Sequence, residues 1–279
     1  MIDDPFQMQR ELRYGSPVCD QILTGRYFTI GYSWYFRQAK WTLEIINRER
    51  QLFPQLEKAD RLNNFRADLR LPGRFRSSLD DFRGSGYDRG HLVPSANQNF
   101  GPLVNSETFL LSNMSPQHED FNRKKWGDLE DAVRQLDAKD EIFETYVLTC
   151  PVFYFDRPIE TIGAVKGVDG THGNNIPIPH AFIKSVLAED KVGGLQLWTF
   201  EMENKELAGE LGDYLVPTYD AEQLVGGRFW DRVSGGDLHE RKKAAGTIWT
   251  STETKAKPGG KTKVSGKSAP PAPDSAPIG

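Results

Sequence analysis

The sequence predicts an α+β fold, with a central and mainly antiparallel sheet flanked by helices. Hydrophobic residues make up 38% of the 279 residues and charged residues 27%, so the chain has enough apolar material for a sizeable core. Strand and helix patterns follow one another irregularly instead of in alternating strand–helix units, which favours α+β over α/β. No stretch approaches the roughly 18 consecutive apolar residues of a membrane helix, so no membrane partner is expected.

The strand predictions depend on short runs of aromatic and β-branched residues between turn residues. In one run Trp41, Leu43 and Ile45 alternate with polar residues, which is the period of a half-buried strand. The residues from Pro94 to Ser106 are predicted as a loop. The predicted strands are 27–34, 41–45, 87–93, 108–112, 143–149, 181–187 and 195–201.

A helix is predicted from about 121 to 137, because four apolar residues recur there at helical spacing on one face. These residues are Trp126, Leu129, Val133 and Leu136. On an ideal α-helix Asn122 lies in line with this stripe and faces the core. A shorter helix near 220–226 is predicted to begin with Asp220 as its cap.

Composition predicts one domain over residues 1–250, followed by a disordered tail over 251–279. The tail has no aromatic residue and carries five prolines, four glycines and five lysines against two acids. The whole chain has a net charge of −4, yet residues 61–89 hold seven arginines, no lysine and four aspartates. That excess suits bidentate phosphate contacts, and it is equally typical of a solvated surface segment.

The two cysteines and the N-terminus bear on the cellular compartment. Cys19 and Cys150 permit one disulfide by count, but nothing in their spacing favours it and Cys150 lies in an apolar run, so we interpret both as reduced, structural thiols. The acidic N-terminus resembles neither a secretory signal nor a transit peptide. We therefore expect a protein that is cytoplasmic by default, or else a processed form.

Three polar residues indicate chemistry. His91 follows Gly90 at the end of a strand, where a histidine serves as a structural hydrogen-bonding group, a metal ligand or a general base. An inward-facing Asn122 needs partners, and it either caps the helix or binds a hard cation through its carbonyl oxygen. Glu130 lies about 12 Å further along the helix axis, which is too far for a shared inner coordination sphere but within reach through the waters of Mg²⁺.

These residues belong to a longer pattern. The run Tyr87-Asp88-Arg89-Gly90-His91-Leu92-Val93-Pro94 resembles the signature of the DNA/RNA non-specific endonucleases, the ββα-metal family. The same pattern continues with Leu111-Ser112-Asn113, Pro116-Gln117, Asn122, Trp126 and Leu129-Glu130. Two upstream runs, Phe65-Arg66-Ala67-Asp68 and Phe82-Arg83-Gly84-Ser85-Gly86-Tyr87, resemble the endonuclease G branch. The similarity spans roughly residues 12–235, and it implies the ββα-metal nuclease fold with a catalytic core at about 61–137.

The resemblance implies a metal-dependent endonuclease that cuts both DNA and RNA to 5′-phosphate and 3′-hydroxyl ends. His91 would be the general base that activates water. Asn122 would be the single direct protein ligand of Mg²⁺, with Mn²⁺ as a substitute, and Glu130 would hold metal-bound water. Because nothing in the motif reads a base or a 2′-hydroxyl, weak sequence preference is expected.

The same resemblance implies supporting roles around the motif. Arg89 and Arg66 would bind the phosphate, Asn113 would support the site, and Asp88 would have a structural role beside the motif. The other histidines need no chemical role: His118 is interpreted as incidental, His180 as a packing residue, and His172 as part of a mobile glycine-rich loop. Trp126 is interpreted as a core residue and not as a platform for bases.

Other hypotheses remain open. The chain can be a catalytically silent nucleic-acid-binding domain, although the full set of motif residues argues against it. An HNH-type nuclease would carry additional ligands on the helix, and this helix has no histidine. A third hypothesis is a regulated defence or cell-death effector with a narrower substrate. The resemblance implies a homodimer only loosely, and an inhibitor or activating partner is expected because an unrestrained nuclease endangers its own cell.

Overall fold

The structure is a computed structural model that describes residues 9–46, 59–163, 175–233 and 236–249. Its strands are Gln21–Thr24 (β1), Phe28–Ser33 (β2), Gln38–Ile46 (β3), Asp88–His91 (β4), Met114–Gln117 (β5), Ile142–Val152 (β6), Thr161–Ile162 (β7), Ile176–Pro177 (β8), Ala181–Asp190 (β9) and Leu195–Glu203 (β10). Six of them form one antiparallel sheet in the order β1-β2-β3-β6-β9-β10. The pairs β4–β5 and β7–β8 form separate antiparallel ribbons.

The α-helices are Leu79–Phe82 (α1), Pro102–Glu107 (α2), Trp126–Asp137 (α3), Thr218–Val225 (α4) and Gly236–Lys242 (α5). A π-helical turn, Phe121–Lys125, leads directly into α3. Helices and a central antiparallel sheet in this irregular order confirm the α+β class. The ribbon β4–β5 followed by the π turn and α3 is the ββα unit that the motif predicts.

The central sheet is covered on both faces, so the prediction of a half-buried strand at 41–45 is wrong in its burial. Trp41, Leu43 and Ile45 pack in one apolar cluster, with side chains from β6, β9, α4 and α5. The opposite face lies against α3, where Thr42 and Glu44 are also buried. Alternation in the sequence therefore separates two buried faces here, one apolar and one partly polar.

Two predictions between β4 and β5 are wrong. The predicted loop from Pro94 to Ser106 contains a 3₁₀ turn, Ser95–Gln98, and the helix α2, which begins with Pro102 in its first turn after Gly101. The predicted strand 108–112 is not a strand, since only Leu110 forms an isolated bridge to Arg66 and the strand begins at Met114. Phe109 and Leu111 are buried by tertiary packing, and not by a sheet ladder.

The remaining elements follow the predictions with shifted ends. Strand 87–93 is shorter than predicted, and it ends at His91. Helix α4 begins at Thr218 after Pro217, so Asp220 lies in its first turn and is not its cap. The predicted tail 251–279 and the loop that contains His172 lie outside the described residues.

Candidate active site at the β4–β5 ribbon

The β4–β5 ribbon places alternate motif residues on opposite faces. Asp88 pairs with Gln117, Gly90 with Ser115, and His91 with Met114. Gly90 permits a close approach, because a Cβ built on it would lie 1.9 Å from the Gln117 Oε1 atom. A glycine is therefore required between Arg89 and His91 for steric reasons.

His91 is held in an aromatic environment at the end of β4. Its ring lies 4.9 Å from the ring of Phe109 in an edge-on arrangement and 5.7 Å from that of Phe65. Only 8% of the residue is exposed, and its Nε2 atom has no hydrogen-bond partner in the part of the chain that the structure describes. Burial, reinforced by the charge of Arg61, lowers the pKa of His91 to about 3. The imidazole is therefore neutral at neutral pH and able to accept a proton.

Asn113 fixes the chain just beyond His91. Its side chain is fully buried and accepts a hydrogen bond from the Val93 amide at 3.0 Å. It donates to the carbonyl oxygens of Val93 at 3.0 Å and Thr108 at 2.9 Å. With three bonds to the backbone, Asn113 ties the segment after β4 to the segment before β5.

Asn122 does not face the core, so that prediction is wrong. The Trp126 amide donates to the carbonyl of Phe121, a five-residue separation that widens the turn and brings Phe121 onto the apolar stripe instead. Asn122 is half-buried, and its Nδ2 atom donates to the Asp88 Oδ2 atom at 2.9 Å. Arg123 donates to both carboxylate oxygens of Asp88, each at 2.9 Å.

The Asp88–Asn122 bond sets the orientation of the amide. Because the NH₂ group of Asn122 points to a carboxylate, its carbonyl oxygen faces away, without a protein donor among the described side chains and amides. A carbonyl oxygen is a ligand that Mg²⁺ accepts. The structural role expected for Asp88 therefore takes a specific form, namely the orientation of Asn122.

Glu130 lies on α3 over a buried charged network of the central sheet. Burial raises the pKa of Glu130 to about 7, against the opposing charges of Lys184 and Arg134. Lys184 is itself buried in β9, where its Nζ atom donates to the Thr149 hydroxyl at 3.1 Å and lies 4.4 Å above the Trp126 ring. The neighbouring Glu44 is also fully buried, and it accepts from the amides of Asn97 at 2.9 Å and Gln98 at 3.1 Å.

The arginines divide differently from the sequence prediction. Arg89 is exposed, with its guanidinium 4.3 Å over the ring of Phe65 that also contacts His91. Arg66 instead donates to the backbone carbonyls of Asn64 at 3.2 Å and Ser106 at 2.9 Å, so its Nη1 atom is engaged in the fold.

Arg61 is the arginine that the sequence analysis did not single out. It donates to the Ser95 hydroxyl at 2.8 Å, and it lies 5.2 Å over the ring of Phe109, against which His91 also packs. Burial lowers the pKa of Arg61 and Glu130 opposes that effect, so its charge lies within electrostatic reach of both His91 and Glu130. Residue type alone does not separate Arg61 from Arg66, since only tertiary contacts decide where each guanidinium lies.

The structure thus forms two groups around the ribbon. Arg89, His91 and Arg61 gather on the aromatic pair Phe65 and Phe109, whereas Asn122 is bound to Asp88. In the described ranges no three His, Cys, Asp or Glu side chains gather into a metal-binding cluster.

The side chains interpreted as structural behave as expected. His180 accepts from the Tyr154 amide at 3.0 Å and stacks on the Tyr154 ring, which confirms a packing role. Trp126 is 1% exposed and belongs to the core. Cys19 and Cys150 are both free thiols. None of the described helices is long and apolar enough to cross a membrane.

Sheet, ribbon and motif geometry together are those of a nuclease that acts on a polyanionic backbone. The chain belongs to the family of DNA/RNA non-specific endonucleases, whose family model matches residues 10–235. It is accordingly an endonuclease, with DNA and RNA as its class of substrate.

Its relatives place it in the endonuclease G-like branch. It is 29% identical to the mitochondrial endonuclease G of Caenorhabditis elegans over 251 residues, which covers 88% of this chain and 80% of that protein. It is 31% identical to human mitochondrial endonuclease G, covering 77% and 71% of the two chains. Among solved structures it matches a chain of the EndoG/EndoGI complex, with a TM-score of 0.71, 28% identity, and coverage of 80% and 91%.

Proposed function

We propose that this protein is an Mg²⁺-dependent, sugar-non-specific endonuclease that leaves 5′-phosphate and 3′-hydroxyl ends, with His91 as the general base. One observation carries the proposal: a neutral, buried histidine lies at the end of β4, and Asn122 is bonded to Asp88 at the start of the same strand, with a carbonyl oxygen that has no donor among the described residues. The bond from Asn122 to Asp88 and the aromatic environment of His91 fix the two groups separately. Each therefore has its position before any substrate binds.

His91 has the properties of a proton acceptor. Because burial holds its pKa at about 3, it is unprotonated throughout the neutral range and needs no prior deprotonation. The pKa of the His91 imidazole would rise when a negatively charged phosphate lies beside it, since an adjacent anion favours the protonated ring. His91 would thus take a proton from the attacking water during the displacement.

The residues present fit a single hydrated cation. Asn122 would bind it directly through its carbonyl oxygen, and Glu130 would hold it through water. Mn²⁺ would serve as a substitute, since it also takes oxygen ligands. When bound, such a cation neutralises charge that develops on the phosphate and on the leaving oxygen. The raised pKa of Glu130 supports this assignment, because a nearby dication would compensate the charge that burial disfavours.

The arginines that lie near His91 would bind the phosphate. Arg89 is exposed, with its guanidinium over the ring of Phe65, and an exposed guanidinium suits bidentate contact with a phosphate. We add Arg61 to Arg89 because its charge acts on His91, although its guanidinium also donates to the Asn63 and Ser95 side chains. Arg66 has no such link to His91 and donates to two backbone carbonyls, so we assign it a secondary part. Asn113 and Asp88 position the site and would not contact substrate.

Restraint by a partner is part of the proposal. The matched solved structure is described as a complex that explains EndoG inhibition, which supports an inhibitor partner for this chain. A homodimer and residence in a processed or compartment-held form are proposed on the resemblance to the endonuclease G relatives, whose names call them mitochondrial. Size-exclusion chromatography with light scattering would test the dimer directly.

The central test is a cleavage time course on plasmid DNA and single-stranded RNA, with Mg²⁺ or with EDTA. We expect the wild-type chain to cut both substrates with Mg²⁺ only, and His91→Ala to lose cleavage while its circular dichroism is unchanged. His239→Ala is the matched control, because that histidine is exposed and lies on α5 beside Tyr219. Near-normal cleavage by His91→Ala would remove the base assignment, cutting by wild type in EDTA would remove the metal, and 3′-phosphate products would refute the mechanism.

A further inference from the structure

A cavity of about 770 Å³ lies outside the catalytic ribbon, between the β2–β3 turn and the segment that leads into β7. Five of its eleven lining residues are aromatic. Trp34, Tyr35 and Phe36 come from the turn, Phe75 from a 3₁₀ turn, and Phe155 from the chain after β6. Nothing in the proposed chemistry uses these residues.

The rings present open faces. Trp34 and Phe75 stack with centroids 5.0 Å apart and planes 4° from parallel, which makes a rigid platform. Tyr35 is 80% exposed and Phe155 is 76% exposed, so both keep large apolar surfaces in water. Large exposed aromatic residues gathered at one cavity are typical of a binding site and not of a core.

Two guanidinium groups and one carboxylate lie at this cavity: Arg37 and Asp20 line it, and Arg74 lies beside it on the Phe75 ring. Arg37 lines it and donates to the backbone carbonyls of Arg74 and Asn175, each at 3.3 Å. Arg74 lies 4.5 Å over the ring of Phe75. Within the described ranges neither guanidinium forms an ion pair with a carboxylate. The carboxylate of Asp20 accepts a hydrogen bond from the Trp34 amide at 2.8 Å.

We propose that this cavity binds unpaired bases of a single-stranded nucleic acid, with Tyr35 and Phe155 stacking on bases and with Arg37 and Arg74 meeting the backbone. Flat apolar faces beside unpaired guanidinium groups complement a ligand that is both aromatic and anionic. A duplex keeps its bases stacked inside, so it offers these rings nothing comparable. The choice of nucleic acid as the occupant rests on the proposed function, while the site itself is separate from the catalytic residues.

The β7–β8 ribbon relates the cavity to the catalytic ribbon. Ile162 and Ile176 pack in a cluster with Phe65 and Tyr87, next to the motif strand β4. Thr161, the residue before Ile162, lines the aromatic cavity instead. Since alternate residues of a strand point to opposite sides, one thin ribbon separates the two sites. A nucleic acid that occupies both the cavity and the catalytic site must pass around the β7–β8 ribbon. A long single strand can therefore occupy both sites at once, whereas a dinucleotide cannot.

The test is a fluorescence anisotropy titration in EDTA, where no cleavage is expected, with a labelled 20-nucleotide single-stranded DNA of mixed sequence and a duplex of equal length. The variants are Tyr35→Ala and Phe155→Ala, whose side chains are exposed, with melting temperatures measured to confirm folding. Phe143→Ala is the matched control, because it removes a ring that is 45% exposed and outside the cavity. Base stacking on an aromatic residue is worth about 1–3 kcal/mol, so each cavity variant is expected to weaken single-strand binding by about fivefold to more than a hundredfold.

Duplex binding is expected to stay unchanged in both variants, and Phe143→Ala is expected to match wild type. Unchanged single-strand affinity in Tyr35→Ala and Phe155→Ala would overturn the proposal. So would a change in the molar mass of the protein on substitution with no change in affinity, since the cavity would then join two copies of the chain. If wild type cleaves nothing with any divalent cation but the variants still lose single-strand binding, the catalytic proposal fails and this inference stands.

Discussion

Replacing Asp88 with asparagine tests the orientation of the proposed metal ligand. The side chain keeps its size, but an amide at position 88 can donate to the carbonyl oxygen of Asn122, which is the atom proposed to bind the cation. Loss of such a supporting contact typically costs 10- to 100-fold in metal affinity or activity, or about 1.4–2.7 kcal/mol. The same change is expected to lower the free energy of unfolding by about 1.5 kcal/mol, the value of one half-buried hydrogen bond to a charged group.

The assay is the cleavage rate of a labelled DNA duplex as a function of Mg²⁺ concentration. Asp88→Asn is expected to move the Mg²⁺ midpoint upward by at least tenfold, with a fall of only a few degrees in Tm. Arg123→Gln is the control, because it removes the exposed partner of Asp88 and leaves the Asn122 bond in place. A wild-type midpoint in Asp88→Asn, or an equal shift in Arg123→Gln, would refute the reasoning.

Three further predictions concern the same ribbon and helix. Gly90→Ala places a methyl group against Gln117, so the unfolding free energy from a denaturant titration should fall by about 1–3 kcal/mol, and Gln117→Ala should restore much of it; no fall would contradict the close approach. Because burial raises the pKa of Glu130 to about 7, this carboxyl takes up a proton below that pH, so the Mg²⁺ needed for half-maximal rate should rise from pH 8 to pH 6 in wild type but stay flat in Glu130→Gln. Burial lowers the pKa of His91 to about 3, so between about pH 6.5 and pH 3 the unfolded chain binds a proton at His91 and the folded chain does not. The stability that the neutral His91 contributes is therefore fully present above about pH 6.5 and is lost as the pH falls toward 3. His91→Ala should reduce the fall in unfolding free energy over this pH range.

The sequence predicts the sheet strands well because their apolar periods persist through most of the sheet. It fails between β4 and β5, where Phe109 and Leu111 are apolar for a tertiary reason: they are buried without a strand. The short helix α2 has too few residues for a period to emerge. Element type therefore follows from local pattern only where an element is long enough to carry one.

Some residues of the candidate site could likewise be predicted from the sequence, and others could not. His91 and Asn122 stand out because the motif orders them, but Arg61 resembles every other arginine between 61 and 89 until its contacts are known. Lys184 did carry a signal, namely a lysine inside an apolar strand, which is costly to bury without partners. Its partners lie far away in sequence, so the signal indicates a buried charge without indicating what it serves.

The π-helical turn before α3 makes the direction of Asn122 a matter of chain length. A π-helical turn contains one residue more than an α-helical turn. The side chains on its two sides are therefore rotated relative to each other by about 100° more than the same turn without that residue would allow. Removing a single residue between Asn122 and Trp126 would leave every proposed functional side chain in the sequence and still point the amide away from Asp88. The number of residues in this turn therefore matters to the proposed metal ligand as much as their identities do, and such a deletion would not be noticed from the functional residues alone.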